Sequence, residues 1–523
     1  MRRLFSILLI LPALYSCSFA QVQKKYGELI TEESSRKHLT ILASKEFEGR
    51  GTGQEGGRKA ANYIADHFKS YGLKPIVNND SFFQPVSLLR TEHIVKNFSI
   101  DKTSYENGKD FYVQGDNDIK KFTSQEIVFV GYGLQHNAYN ELKSTDIKGK
   151  VVLVLNEGEP FDQDGNSLLT GNSTESEWSK SRFKRVQELV KLEPKLILAT
   201  TPLVASMLNR MRGRSSSARI SLDQGNVNRA VTQSIPVVNI NEDIANKILS
   251  KANSSLTTFK ELARKGVQKP IIIKSQLEAE MGVNQEKLDD PNVLGLLEGS
   301  DLKDEVIVIC GHYDHDGILP DGTFFPGADD NGSGTVAVLE LARAFSAAKK
   351  EGNGPRRSIL FIGLAAEEKG LLGSKFYVEH PIIPLKNTVA CINIDMIGRI
   401  DDKHLNGDHN YLHAIGLDKL SSELQQVTEQ ANKDFVQIGL DYSYNDPNEP
   451  MRLYYRSDHY NFAEKGIPSA FFFSGLHPHY HTPEDTVDKI DFPMMVKREK
   501  LIFYTTWEIA NRAKRLVVDS NKK

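Results

Sequence analysis

From residue 292 onward the chain alternates short apolar runs with longer amphipathic ones. The runs 306–310, 358–364, 388–394 and 469–473 are nearly unbroken apolar stretches of strand length. Such runs mark strands buried on both faces. Segments 334–349, 370–379, 417–431 and 493–513 read as helices, the first with Val336, Leu339, Ala342, Ala344 and Phe345 among its apolar positions. Repeated strand–helix units predict an α/β fold: a mixed, mainly parallel sheet with helices on both faces.

The upstream pattern differs. Ala60, Ala61, Ile64, Phe68 and Tyr71 recur at helical spacing, and Gly72 stops the helix. The glycine-rich stretch 46–53 before it lacks the Gly-Lys-Ser/Thr ending of a phosphate loop and reads as a structural loop. Between 115 and 280 lie short β-rich runs at 126–133, 150–155, 196–199 and 235–240, separated by polar loops. This texture predicts an inserted, small β-rich domain over 115–280, between an N-terminal part at 21–114 and the main part at 281–523. Asp162 and Asp164 faintly resemble a calcium loop, but the glycine is misplaced and the segment reads as a solvated loop. The polar stretch 279–290 reads as the return linker.

Composition adds limits. The 523 residues are 39% apolar and 25% charged, with a net charge of −3, which supports a globular chain and argues against nucleic acid as the main partner. Arg2 and Arg3 precede an apolar run at 4–15, so residues 1–20 are expected to be a signal peptide and the protein exported, periplasmic or extracellular. Two processing readings stand: cleavage before Gln21, or a lipidated Cys17 that would anchor the chain to the cell envelope. Cys310 and Cys391 sit in apolar runs and are expected to be buried thiols, with a disulfide between neighbouring strands as the alternative.

The chemistry gathers at strand ends. His312, Asp330, Glu367-Glu368, Asp395 and His481 all follow predicted strands, and open α/β sheets place ligands at that edge. Each alone has a bland reading as a cap or turn residue. Together they would place several carboxylates within a few ångströms, which is costly unless a cation sits among them. Imidazole plus carboxylate without cysteine favours zinc or another divalent transition metal. Two histidines and three carboxylates suit two ions, each with one histidine and one terminal carboxylate, the third carboxylate bridging. The remaining glutamate is then placed to act as general base.

Gly311-His-Tyr-Asp314, Gly327-Ala-Asp-Asp-Asn-Gly-Ser-Gly334, Ala366-Glu-Glu-Lys-Gly-Leu-Leu-Gly-Ser374, Asn393-Ile-Asp-Met-Ile-Gly398, Ser457-Asp-His459 and Tyr480-His-Thr-Pro-Glu-Asp485 occur in that order. The set resembles the M28 family of di-zinc aminopeptidases, and the 115–280 region resembles the protease-associated domain inserted in some members. The resemblance implies two zinc ions, a peptide substrate, and an exopeptidase that removes N-terminal residues. By matching position it implies His312, Asp330, Glu368, Asp395 and His481 as metal ligands, with Asp330 bridging and Glu367 as general base. It implies Asp314 as a carboxylate orienting the first histidine, Tyr480 as an oxyanion stabiliser, and Arg456 as a substrate-positioning residue.

Asp329 is left without a role, and His477, His479, His315, His459 and His409 are all expected to be rim residues. The stretch 441–455 reads equally as pocket lining or as surface loop. Rival readings are a carboxypeptidase or dipeptidase of the same architecture, a single-zinc glutaminyl cyclase, and a binding protein that kept the fold.

Overall fold

The computed structural model describes residues 21–78, 80–114, 119–143, 145–211, 218–223 and 235–520. The expected signal segment 1–20, with Cys17, lies outside the described residues. The chain divides into two compact units, residues 1–88 with 288–523, and residues 89–287.

In the first unit, neighbouring strands run in the order Gly439–Asp441, Tyr411–Ile415, Ser469–Phe473, Thr388–Ile394, Leu302–His312, Arg357–Leu364, then the C-terminal part of Ile271–Leu297. Leu302–His312 pairs in parallel with both neighbours, and Thr388–Ile394 pairs in parallel with Ser469–Phe473. Antiparallel pairing occurs at Ile271–Leu297 with Arg357–Leu364, and at Tyr411–Ile415 with Ser469–Phe473. The sheet is thus mixed and mainly parallel. The parallel strands are buried along their lengths because side chains on both faces are covered.

Alternation divides the core. Val306, Val308 and Cys310 join Leu360, Ile362 and Cys391 on one face, against Tyr377 of helix Leu372–Glu379 and Phe462 of helix His459–Ala463. On the other face, Phe361 meets Phe68 of helix Glu55–Tyr71 and Phe345 of helix Gly334–Lys350. Phe345 in turn stacks on Trp507 of helix Phe492–Asn511. Cys310 and Cys391 are free and fully buried, their sulfurs 3.7 Å apart.

Three expectations need revision. The stretch read as a linker over 279–290 belongs to a 27-residue strand, Ile271–Leu297. Its exposed positions are polar, which hid the strand. The expected helix over 417–431 is two helices, Leu417–Leu420 and Ser422–Ala431. The second unit is also wider than the 115–280 region, since it takes in residues 89–287.

In that unit, the strands Ile119–Phe129, Val151–Leu155, Leu196–Thr200 and Val237–Ile240 follow one another in parallel. Helices Arg182–Val190, Glu242–Ser250 and Leu256–Ala263 accompany them, each started by a serine or asparagine cap. The strands match the β-rich runs of the sequence; these short helices were not singled out there. In the loop after Val151–Leu155, Asp162 accepts hydrogen bonds from the backbone of Asp164 and Asn166, so its carboxylate closes its own turn.

Candidate metal centre and active site

Four parallel strands deliver the site. Leu302–His312 ends on His312, Arg357–Leu364 leads to Glu367 and Glu368, Thr388–Ile394 leads to Asp395, and Ser469–Phe473 leads to Tyr480 and His481. Asp330 comes from the turn before helix Gly334–Lys350. A side chain at position 334 would place its Cβ 2.3 Å from Ile394 O, so only glycine lets this helix start so close to the strand end. Ala366, Met396 and His481 all hold φ near +54°, at 54°, 53° and 54°. Non-glycine residues in that region cost roughly 1–3 kcal/mol each and persist where packing over-determines them. All three adjoin or belong to the carboxylate–imidazole cluster.

Asp330 faces two ways. Its Oδ1 lies 3.6 Å from His312 Nε2, which is also 3.4 Å from Asp395 Oδ1. Its Oδ2 lies 3.1 Å from His481 Nε2, which is 3.2 Å from Glu368 Oε2. Donors bound to one zinc at ~2.0–2.1 Å in tetrahedral geometry sit about 3.3 Å apart. Both groups are close to that spacing. His312 Nε2, Asp330 Oδ2 and Asp395 Oδ1 are buried and have no hydrogen-bond partner among the described residues. Buried polar atoms are normally paired, so these three suit a cation as their partner. The residues present therefore fit two divalent ions that share Asp330.

The neighbouring glutamates differ in environment. Burial pushes the Glu367 carboxyl well above its usual range, with Glu368 and Asp395 adding to it against the pull of His312. Burial acts on Glu368 too, but its hydrogen bonds to His315 and His481 hold that carboxyl well below the usual range. The two adjacent carboxyls are thus pushed in opposite directions, a division typical of acid–base sites. Glu367 Oε2 is 3.8 Å from His312 Nε2, and His312, Glu367 and Asp395 offer donor atoms within 4.8 Å of one another.

Supporting contacts fix these positions. His312 Nδ1 donates to the backbone oxygen of Asp314 at 3.0 Å, while the Asp314 carboxylate is 3.8 Å away. That carboxylate instead accepts from Glu367 N, Glu368 N and Thr52 Oγ1. The expectation for Asp314 is thus revised: its main chain orients the histidine, and its side chain orients the two glutamates. Ser457 Oγ donates to Asp395 Oδ2 at 2.7 Å and receives Asn393 Nδ2. Asp485 accepts from Asp329 N and Asp330 N. Asp329 turns away from the cluster, accepting from Ser333 Oγ and Gly398 N.

His477 is not a rim residue. It is buried, with Nε2 3.3 Å from Asp329 Oδ2. His479 is half-buried beside Arg399. His459 is buried against Phe471, and burial lowers it to about 3. Tyr480 and Arg456 line the mouth with Met396, Leu453, Phe471, Phe473 and Leu476, and Arg456 Nη2 is 3.4 Å from Tyr480 Oη. Of the 441–455 stretch, Leu453 alone is among the residues lining this pocket. His315, expected at the rim, is fully buried and touches Glu368, and Asp316, which the sequence did not single out, touches His481. Their direct attachment to the His312–Asp314 motif is the one signal that pointed to them.

A further imidazole–carboxylate group, Asp401 with His404 and His413, lies outside this cluster. Its contacts are 2.6 and 2.7 Å. Those are hydrogen-bond lengths, too short for donors spread around a common ion, so the trio satisfies itself.

Residues 292–506 match the model of Peptidase family M28. Aminopeptidase YwaD of Bacillus subtilis (strain 168) is 30% identical over 232 residues, covering 43% of this chain and 46% of that protein. A probable leucine aminopeptidase of Arthroderma otae is 29% identical over 259 residues, covering 47% of this chain and 67% of that protein. The chain thus spans between about half and two thirds of the length of these relatives. Among solved structures, an aminopeptidase from Aneurinibacillus sp. strain AM-1 covers 95% of this chain and 98% of its own at a TM-score of 0.56 and 19% identity. A zinc aminopeptidase from Bacillus subtilis covers 94% and 99% at 0.52 and 20%. At those identities the structures show the shared fold.

Proposed function

From the match of residues 292–506 to the model of Peptidase family M28, we propose that this chain is an M28-type di-zinc aminopeptidase that hydrolyses N-terminal residues from peptides. The observation that carries this reading is Asp330, which offers Oδ1 to the His312–Asp395 group and Oδ2 to the Glu368–His481 group. The relatives described as aminopeptidases, one of them a zinc enzyme, support it. His312, Asp330 and Asp395 would hold one ion, and Asp330, Glu368 and His481 the other. Bound there, the pair supplies Lewis acidity to an attacking water and to the scissile carbonyl.

The chain's own groups do the rest. Glu367, 3.8 Å from His312 Nε2, takes the proton of the attacking water and passes it to the leaving amine. Tyr480, at the pocket mouth, donates its hydroxyl proton to the carbonyl oxygen as charge develops there. Met396, Leu453, Phe471, Phe473 and Leu476 exclude water around the substrate's first side chain.

Aminoacyl anilide hydrolysis tests the reading. Activity should vanish with chelator and return with zinc. Glu367→Gln should lower kcat by about 10²–10⁴-fold while metal content stays at the wild-type value. Full activity in that variant, or in a metal-free preparation, would overturn the proposal. Arg456 supports a second reading, since an exposed cation at the mouth suits a substrate carboxylate. N-blocked peptides separate the two, because an aminopeptidase leaves them intact and a carboxypeptidase does not. One bound zinc rather than two would favour a cyclase. We propose export as well, from the basic and apolar composition of residues 1–20, to be tested by fractionating cells that express the full chain.

A further inference from the structure

His315 and Asp316 follow directly on the His312–Asp314 motif, and both turn towards the second donor group. His315 is fully buried, and its Nδ1 donates to Glu368 Oε1 at 2.9 Å. That bond occupies Oε1 and leaves Oε2 facing His481 Nε2 and the Asp330 side. Asp316 Oδ2 accepts from His481 Nδ1 at 3.1 Å, which fixes the tautomer that leaves Nε2 free to bind. The His315 ring has little room to move. Its backbone N–H donates to Arg50 O, and a Cβ on Gly327 would come 2.5 Å from its Cδ2. Gly327 has φ +55°, so the position is closed to a side chain on two counts.

We propose that His315 and Asp316 are positioning residues that act as a pair: His315 holds Glu368 so that only Oε2 meets the second ion, and Asp316 holds His481 so that Nε2 does. This rests on the two-ion reading of the site. The pair bears mainly on the second donor group: His315 lies 2.9 Å from Glu368 Oε1 and 3.8 Å from the shared Asp330 Oδ2, Asp316 lies 3.1 Å from His481 Nδ1, and the His312 side of the cluster is oriented through Asp314 O and Ser457. The His315 contact is shorter than the ~3.3 Å expected between two ligands of one zinc. His315 also stands with Asp330 and Glu368 in a group of donor atoms within 4.8 Å of one another, and its 2.9 Å contact, of hydrogen-bond length, favours a hydrogen bond to a ligand over a ligand role.

The test is metal titration of the full chain, stripped with chelator and reloaded with zinc, and with cobalt for its visible spectrum. Wild type should take up two equivalents. His315→Ala should keep one tight equivalent, bind the second about 10–100-fold more weakly, and lose the second-site component of the cobalt spectrum. His315→Asn, whose amide nitrogen falls where Nδ1 lies, should restore both. Asp316→Ala is an independent arm and should weaken the second ion by a similar factor. Unchanged second-ion affinity in His315→Ala and Asp316→Ala would overturn the proposal. Failure of His315→Asn to rescue would also overturn it, by making His315 a ligand or a packing residue. Wild type that binds fewer than two ions would overturn the two-ion reading itself, a separately visible outcome.

Discussion

Arg50→Met is expected to loosen the metal centre from behind. Arg50 is fully buried and donates four hydrogen bonds to main-chain oxygens: Nε to Tyr313, Nη1 to Leu42 and Pro326, and Nη2 to Gly327. Leu42 ends helix Glu32–Leu42, so its carbonyl has no partner within the helix. Tyr313 follows His312, and Gly327 packs on His315. One side chain thus ties a helix end to both loops that carry donors.

Hydrogen bonds from a charged group contribute about 1.5–3 kcal/mol each, so four sum to roughly 6–12 kcal/mol before correction. Two effects reduce the sum. Neighbouring contacts are not additive. Burying a guanidinium also carries a desolvation cost, seen here as a pKa lowered to about 10, with Asp485, Asp330, Asp314 and Glu368 opposing the shift. Methionine matches the volume but removes the donor from four buried carbonyls, of which Gly327 O keeps Gly332 N, so the sign is fixed. The expected loss is about 3–5 kcal/mol, the range for breaking a buried charged network. Denaturant unfolding of the metal-free protein measures it. Metal affinity should fall with it, because both donor loops relax. Arg50→Lys should rescue little, since an ammonium has three donors and no planar fork. A stability within about 1 kcal/mol of wild type for Arg50→Met would refute the reasoning.

Other outcomes follow from the same contacts. Tyr480→Phe should lower kcat by about 10²-fold with little change in KM, read from initial rates on aminoacyl anilides; an unchanged kcat would remove Tyr480 from the oxyanion site. Cys310 and Cys391 should resist a thiol reagent in the native protein and both react on unfolding without reductant, as expected of buried free thiols. Burial alone would raise the Asp401 carboxyl, but its hydrogen bonds to His413 and His404 bring it down to about 2, below its usual value. Such a group contributes stability that is full above about pH 4 and is lost as pH falls through about 2. The Tm gap between wild type and Asp401→Asn should therefore be widest above pH 4 and narrow below it; a gap that widens on acidification would contradict the assignment.

How much of this could be read from the chain depends on whether a residue's environment is local. Val306 to Cys310 announced a strand because both faces are buried, so nearly every position had to be apolar. His312 and Asp395 were legible because they sit at the ends of such runs. Residues 279–290 were misread because that part of the strand has exposed polar positions, and a solvated strand composition resembles a linker. His477 and Arg50 were illegible for the opposite reason. They are buried polar groups whose partners, such as Asp329 and the oxygens of Tyr313 and Gly327, lie far away in sequence.

Asp314 is the instructive intermediate. Its importance was visible in the His-x-Asp spacing, but its task was not. Only folding shows that its carboxylate receives the backbone N–H groups of Glu367 and Glu368 from the adjacent parallel strand. The motif therefore couples the two halves of the site. His312 belongs to one donor group, while Asp314 sets the loop that carries Glu367, the proposed base, and Glu368 of the other donor group. An Asp314→Asn substitution retains one acceptor oxygen and loses the other, so it should disturb the glutamates before it disturbs His312, whose partner is the unaltered backbone oxygen. Loss of second-site metal with the first ion retained would bear this out, and loss of the first ion alone would refute it.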